Sequence, residues 1–175
     1  MVHATLGTTE VNRTPGLYKA IIGALRDEPG TVIVAIGDRR DPADFGPQPP
    51  NVIIEQYVSH AALLPSCDLV LTHGGYGAIM ACLSVGLPMV VLPVNGDQPR
   101  NAKRCADLGV ARVIGPHERT PEVIRAAVRT VLGDPSYRSN ATQIRDEIAS
   151  MPGQELAVEL LERLAREKAP ILSSY

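Results

Sequence analysis

The sequence predicts an α/β fold: an open, doubly wound parallel sheet of six strands with helices on both faces. Three observations lead there. Short apolar runs alternate with segments of helical periodicity through residues 2–114. Those runs lack a clean apolar–polar alternation, as strands buried on both faces should. The length, 175 residues, suits one domain with a real core.

Taken in order, residues 2–6 read as the first strand. Residues 15–28 read as a helix with Thr14 as its cap and Pro15 at its first position. Residues 31–36 form a second strand. The stretch 38–51 holds Pro42, Pro47, Pro49 and Pro50 and must be a loop. Residues 52–57 form a third strand, 61–66 a short helical turn, 68–72 a fourth strand and 75–85 a helix. A fifth strand over 89–92, a helix over 98–108 and a sixth strand over 110–114 complete the sheet. The remainder is helical. Thr120-Pro121-Glu122 is a strong start, with a cap, a proline and an acid in the first turn. Gly133 ends that helix, Asp134-Pro135 begins another, and Met151-Pro152-Gly153 breaks it. A last helix over 154–168 carries Leu156, Leu160, Leu161 and Leu164 on one stripe.

Composition narrows the function classes. Hydrophobic residues are 45% and charged residues 21%, which excludes wholesale disorder. Aromatics are only 3%, so the core is aliphatic. A formal net charge of −2 argues against a nucleic-acid partner held by phosphate neutralisation. No apolar run approaches the ~20 residues of a membrane span, and no segment resembles a signal peptide, so a cytoplasmic location is expected. Cys67, Cys82 and Cys105 lack metal-type pairing and read as buried reduced thiols.

An open parallel sheet binds ligands outside the carboxyl ends of its strands, and four loops there carry polar groups. After the fourth strand comes His73-Gly74-Gly75-Tyr76-Gly77-Ala78, opening a helix. Free N–H groups and the helix dipole favour an anion at that point, and glycines let it approach; the bland alternative is a tight turn with a histidine satisfying local backbone. Gly75-Tyr76-Gly77 is not a dinucleotide fingerprint, since Met80 stands where the third glycine belongs, and no Walker lysine follows. After the fifth strand, Asp97-Gln98 offers a carboxylate and an amide suited to a polyol, or Asp97 merely caps the next helix. Gly7-Thr8 after the first strand could contact phosphate or simply turn. Tyr57 after the third could stack on a base while the Val58 backbone pairs with its edge, or could only pack.

Together these segments carry a resemblance. Leu6-Gly7-Thr8, Asn51-Val52 leading to Tyr57-Val58, Leu63-Leu64-Pro65, Asp68 through His73-Gly74-Gly75, Gly86-Leu87-Pro88 and Asp97-Gln98-Pro99-Arg100-Asn101-Ala102 stand in an order that resembles family 1 glycosyltransferases of GT-B fold. The likeness is greatest to the bacterial enzymes that glycosylate antibiotics and other natural products, and it covers nearly the whole chain. Such enzymes have two Rossmann-like domains with the active site between them. The resemblance therefore implies that residues 1–175 are the C-terminal, donor-binding domain of a metal-independent, inverting hexosyltransferase. Its acceptor domain would lie outside this sequence, or in a separate subunit of a split enzyme.

The resemblance also distributes roles. Thr8, His73, Gly74, Gly75, Gly77 and Ala78 would hold the donor pyrophosphate. Tyr57 and Val58 would hold the base, and Asp97 and Gln98 would face the sugar. No metal or other cofactor is implied, only the nucleotide-sugar co-substrate. The general base and the small-molecule acceptor pocket belong to the N-terminal domain, so no catalytic residue is expected here; His3, His60 and His117 read as local surface or turn residues. Two positions depart from the family pattern. Ala78 replaces a common Ser or Thr, and Ala81 replaces a common Glu that grips ribose hydroxyls, which favours a dTDP-sugar over a UDP-sugar. The helix over 154–168 would pack on the acceptor domain, and without it the chain could self-associate. A non-catalytic nucleotide-binding module and a nucleotide-sugar epimerase of GT-B fold are the alternatives.

Overall fold

The computed structural model describes residues 1–7 and 16–170; the expected cap at Thr14, Pro15 and the expected phosphate contact at Thr8 lie outside them. Six strands form one sheet: β1 (Val2–Thr5), β2 (Val32–Ala35), β3 (Val52–Glu55), β4 (Leu69–Thr72), β5 (Met89–Val91) and β6 (Ala111–Val113). All pair in parallel, in the order β3-β2-β1-β4-β5-β6. The helices are α1 (Leu17–Leu25), α2 (His60–Leu63), α3 (Tyr76–Leu83), α4 (Gln98–Asp107), α5 (Pro121–Gly133), α6 (Pro135–Ser150) and α7 (Gln154–Glu167).

β1, β2, β5 and β6 are shorter than their apolar runs, because burial outlasts pairing. Leu6, Ile36, Leu92 and Ile114 stay buried beyond the ladders that precede them. The helix expected over 15–28 is confined to Leu17–Leu25, with Gly16 in the left-handed region at its start. The proline-rich loop also contains one turn of 3₁₀ helix, Pro42–Phe45, started by Asp41 accepting from the Ala43 N–H at 2.9 Å. The start of α5 is as read: Thr120 accepts from the Val123 N–H, with Pro121 and Glu122 in the first turn.

Successive strand residues point to opposite faces, so both faces need cover. On one face Val2, Ala4 and Leu71 pack against Ile21 and Leu25 of α1 and Ile124 and Val128 of α5. On the other, Val70, Met89 and Val91 pack against Ile79 and Leu83 of α3, Ala102 and Cys105 of α4, and Ala141 of α6. All three cysteines are buried free thiols. Burying each large aliphatic side chain contributes about 1.5–3 kcal/mol.

The expectation for His3 is overturned. His3 is fully buried in β1, facing away from Val2 and Ala4. Its Nδ1 lies 3.0 Å from the Ile33 carbonyl, which can only accept, so Nδ1 carries the hydrogen and Nε2 is left buried without a partner. The His60 ring meets it edge-on at 5.6 Å. His60 is half-buried, and only His117 is an exposed turn residue. The physical reason is that a central strand covered on both faces buries whatever stands at the inward positions, polar or not.

Burial pushes the His3 pKa down from 6.5 to about 4. The unfolded chain therefore binds more protons over that window, so stability is full above pH 6.5, falls as pH drops, and is fully discounted below about 4. The discount is about 3 kcal/mol. Urea unfolding from pH 8 to 4 should show this decline, and His3→Leu should flatten it by that amount; an unchanged slope would show that His3 does not carry it.

Candidate functional site

The strand order reverses between β1 and β4. Connections from β1 lead to β2 and β3, while those from β4 lead to β5 and β6, so the loops at the carboxyl ends of β1 and β4 diverge and leave a crevice. A cavity of about 550 Å³ occupies it. Thr5 and Gly7 line it after β1, Ala35 and Gly37 after β2, Gln56 through Ala61 after β3, and His73 with Gly75 through Ala78 after β4. None of these lining residues is Lys or Arg.

The segment after β4 builds an anion cradle by a specific local geometry. Gly74 has φ +87°, and a Cβ there would fall 2.8 Å from Val91 Cγ1, so only glycine makes this buried turn. Gly75 is the N-cap of α3 and supplies no side-chain cap. The amides of the first turn, from Tyr76 onward, thus keep their unpaired donors and the positive end of the helix dipole, about half a charge. A Cβ on Gly75 would lie 2.5 Å from His73 Nε2: the imidazole occupies the space a side chain would take. A Cβ on Gly77 would meet no atom within 4 Å, so the helix start is open where Gly77 lines the cavity.

His73 is buried, its Nδ1 3.4 Å from Thr72 Oγ1. Burial holds its pKa below the usual imidazole value, and the Asp97 carboxylate and the Thr5 carbonyl offset only part of that. The imidazole therefore favours its neutral form at pH 7.

Of the residues singled out from the sequence, His73, Gly75, Gly77, Ala78, Tyr57 and Val58 line this one cavity. Tyr57 is 76% exposed, so its ring is not a packing element and is available to stack. Gly74 lies beneath the cradle rather than on its wall. Asp97 and Gln98 are outside the cavity lining. Asp97 stands at the N-cap position of α4 but makes no cap bond; its Oδ2 accepts from Asn101 Nδ2 at 2.8 Å. Gln98 is buried, and its Oε1 accepts from the N–H groups of Val94 (2.8 Å) and Asn95 (3.2 Å), shaping the β5–α4 loop from within.

The structure adds residues that sequence reasoning passed over. Tyr76, 67% exposed, lines the cavity beside Gly77. Gln56, Ser59 and His60 line it after β3. His60 could have been found by its position in the loop after a strand end, the rule that picked out Tyr57 three residues earlier.

Comparison with known proteins agrees with this geometry. Residues 19–164 match the family described as erythromycin biosynthesis protein CIII-like, C-terminal domain. The demethyllactenocin mycarosyltransferase of Streptomyces fradiae is 32% identical over 164 residues, spanning 94% of this chain but 35% of that protein. The crystal structure of CalG4, the calicheamicin glycosyltransferase, superposes with a TM-score of 0.88 at 31% identity, covering 97% of this chain and 44% of that one. Glycosyltransferase VinC in complex with dTDP superposes with a TM-score of 0.83 at 29% identity, covering 95% of this chain and 41% of that one. The chain thus spans less than half the length of these relatives. Its architecture is that of one half of a GT-B glycosyltransferase, and the chain belongs to the erythromycin biosynthesis protein CIII-like C-terminal domain family of family 1 glycosyltransferases.

Proposed function

We propose that this chain is the donor-binding half of a metal-independent, inverting glycosyltransferase that moves a hexose or deoxyhexose from a dTDP- or UDP-sugar to a small-molecule natural product. The observation that carries this reading is the uncapped start of α3, roofed by His73 and opening into the crevice between β1 and β4. A diphosphate there meets amide donors and a helix dipole instead of cationic side chains. That is an oxyanion-hole kind of stabilisation: charge that builds on the leaving nucleoside diphosphate faces donors already in place. An arriving anion also favours the protonated form of His73, adding a charge-assisted contact.

The remaining roles follow from position. Tyr57 stacks on the base while the Val58 backbone meets its edge. Asp97 accepts from sugar hydroxyls, with Gln98 holding the loop that presents it. Thr8, just past the cavity-lining Gly7, adds a phosphate contact. No metal is needed, because the helix start does a cation's electrostatic work. The general base and acceptor pocket are assigned to an N-terminal domain. The exposed stripe of α7, Leu156, Leu160, Leu161 and Leu164, packs against that domain. A cytoplasmic enzyme fits a donor made and used inside the cell.

Three outcomes test this. The 175-residue chain binds a nucleoside diphosphate in calorimetry but transfers no sugar detectably, and transfer appears when the acceptor domain is supplied in the same chain or as a subunit; robust transfer by the chain alone overturns the assignment. Gly77→Ala separates stability from binding. It removes a helical glycine and so should stabilise by about 0.4–1 kcal/mol. The added methyl group stands in the anion's approach, so dTDP affinity should fall about tenfold, the loss of roughly one charge-assisted hydrogen bond. A higher melting temperature with unchanged affinity would remove Gly77 from the site. Finally, Ala81 lies one turn beyond Ala78 on the same side of α3 and cannot grip ribose hydroxyls, so dTDP should bind at least as tightly as UDP, and Ala81→Glu should shift the preference towards UDP. UDP binding much more tightly than dTDP in the unaltered chain would refute the preference.

A further inference from the structure

We propose that Asn101 is a positioning residue that ties the Asp97 carboxylate to the anion-binding turn, so that the sugar-facing group and the phosphate cradle are held as one unit; this rests on the reading of Asp97 as a sugar contact. Asn101 stands in the first turn of α4, with Nδ2 3.1 Å from the Gly74 carbonyl and 2.8 Å from Asp97 Oδ2. A carbonyl and a carboxylate can only accept. Both hydrogens of the amide are therefore committed, one to each, and the orientation of the group is fixed by its partners.

The anchor is a firm one. Gly74 sits in the buried turn that has no room for a side chain beside Val91, so its carbonyl is a fixed point. Asp97 needs such a point. It is exposed, it occupies the N-cap position of α4, and its natural competing partners are the free amides of that helix start, yet it makes no cap bond. Its backbone is already helical there (φ −80°, ψ −12°), so the carboxylate is turned to Asn101 one helical turn on rather than to those amides. Only Oδ2 is used; Asp97 Oδ1 has no hydrogen-bond partner among the described residues and is left to accept from a ligand hydroxyl. The charge so placed also acts on His73, favouring its protonated form. One side-chain amide thereby couples β4–α3 to β5–α4 across a sequence separation of 27 residues.

The test uses the purified chain, dTDP and dTDP-glucose as probes, and the His73 ring followed by NMR. Asn101→Ala should weaken dTDP-glucose about tenfold, equivalent to roughly 1.4 kcal/mol, and dTDP by much less, through His73 alone. Asn101→Asp keeps the shape but cannot donate at neutral pH and repels Asp97, so it should weaken dTDP-glucose more than Ala does; a packing role would make it the milder change. In Asn101→Ala the His73 midpoint should fall further below its ordinary value, as it should in Asp97→Asn. An unchanged His73 midpoint in Asn101→Ala overturns the positioning role whatever the affinities do, as does an equal loss of dTDP and dTDP-glucose binding. If Asp97→Asn leaves dTDP-glucose binding intact, the sugar reading of Asp97 fails, and the His73 midpoint alone decides the tie.

Discussion

β1 pairs with β2 on one side and β4 on the other; the chain runs outward from β1 to β2 and β3, crosses back, and runs outward again from β4 to β5 and β6. No single helix can therefore cover the ends of both strands, and a crevice at their carboxyl ends is a geometric consequence of the strand order. The rest of the site depends on it. The crevice lets the loop after β4 and the loop after β3 share one cavity, which His73 and Tyr57 both line. It also decides that α3 starts at the cavity wall, so that its unpaired amides face space rather than protein.

That placement explains the unusual economy of charge. None of the described residues that line the cavity is Lys or Arg, and the helix start there supplies directed donors. The cost is borne by the backbone. Gly74 must take a positive φ, Gly75 must yield its side-chain space to His73, and Gly77 leaves a helix position unfilled. Glycine in a helix sacrifices about 0.5–1 kcal/mol relative to alanine. Apart from its own helix turn, no atom of the described residues lies within 4 Å of where a Gly77 side chain would stand, so the backbone there is open to close approach.

Much of this was legible in the sequence, for identifiable reasons. The strands were readable because burial on both faces leaves near-continuous apolar runs, such as Leu69 through Thr72. The site loops were readable because function at a strand end concentrates Gly, His, Asp and Tyr where packing would not select them. Less legible was everything that depends on contact between distant segments. His3 lies in an apolar run and gives no sign of whether it faces core or solvent. Its contact with His60 joins residues 57 apart in sequence. Asn101 was visible only as one letter of the run after Asp97, because its meaning lies in the Gly74 carbonyl of the neighbouring β4–α3 turn. Gln98 reads from sequence as a ligand group, whereas its buried amide oxygen first satisfies its own loop. A polar side chain can serve the backbone or the ligand, and periodicity does not distinguish the two.

The terminal helix turns the same reasoning towards what lies beyond the domain. Through α1 to α6 each helix finds cover on the sheet or on a neighbour, but Leu156 through Glu167 of α7 are exposed throughout. A free helix of this length is marginal in water, because nucleation is costly and propensity alone repays little. Its leucines repeat at helical spacing, so the face is built for burial and not for solvent. The two facts are reconciled if the stripe is covered by the domain proposed to carry the acceptor. On that reading the helix belongs energetically to the whole enzyme. It then joins the two halves through its apolar stripe.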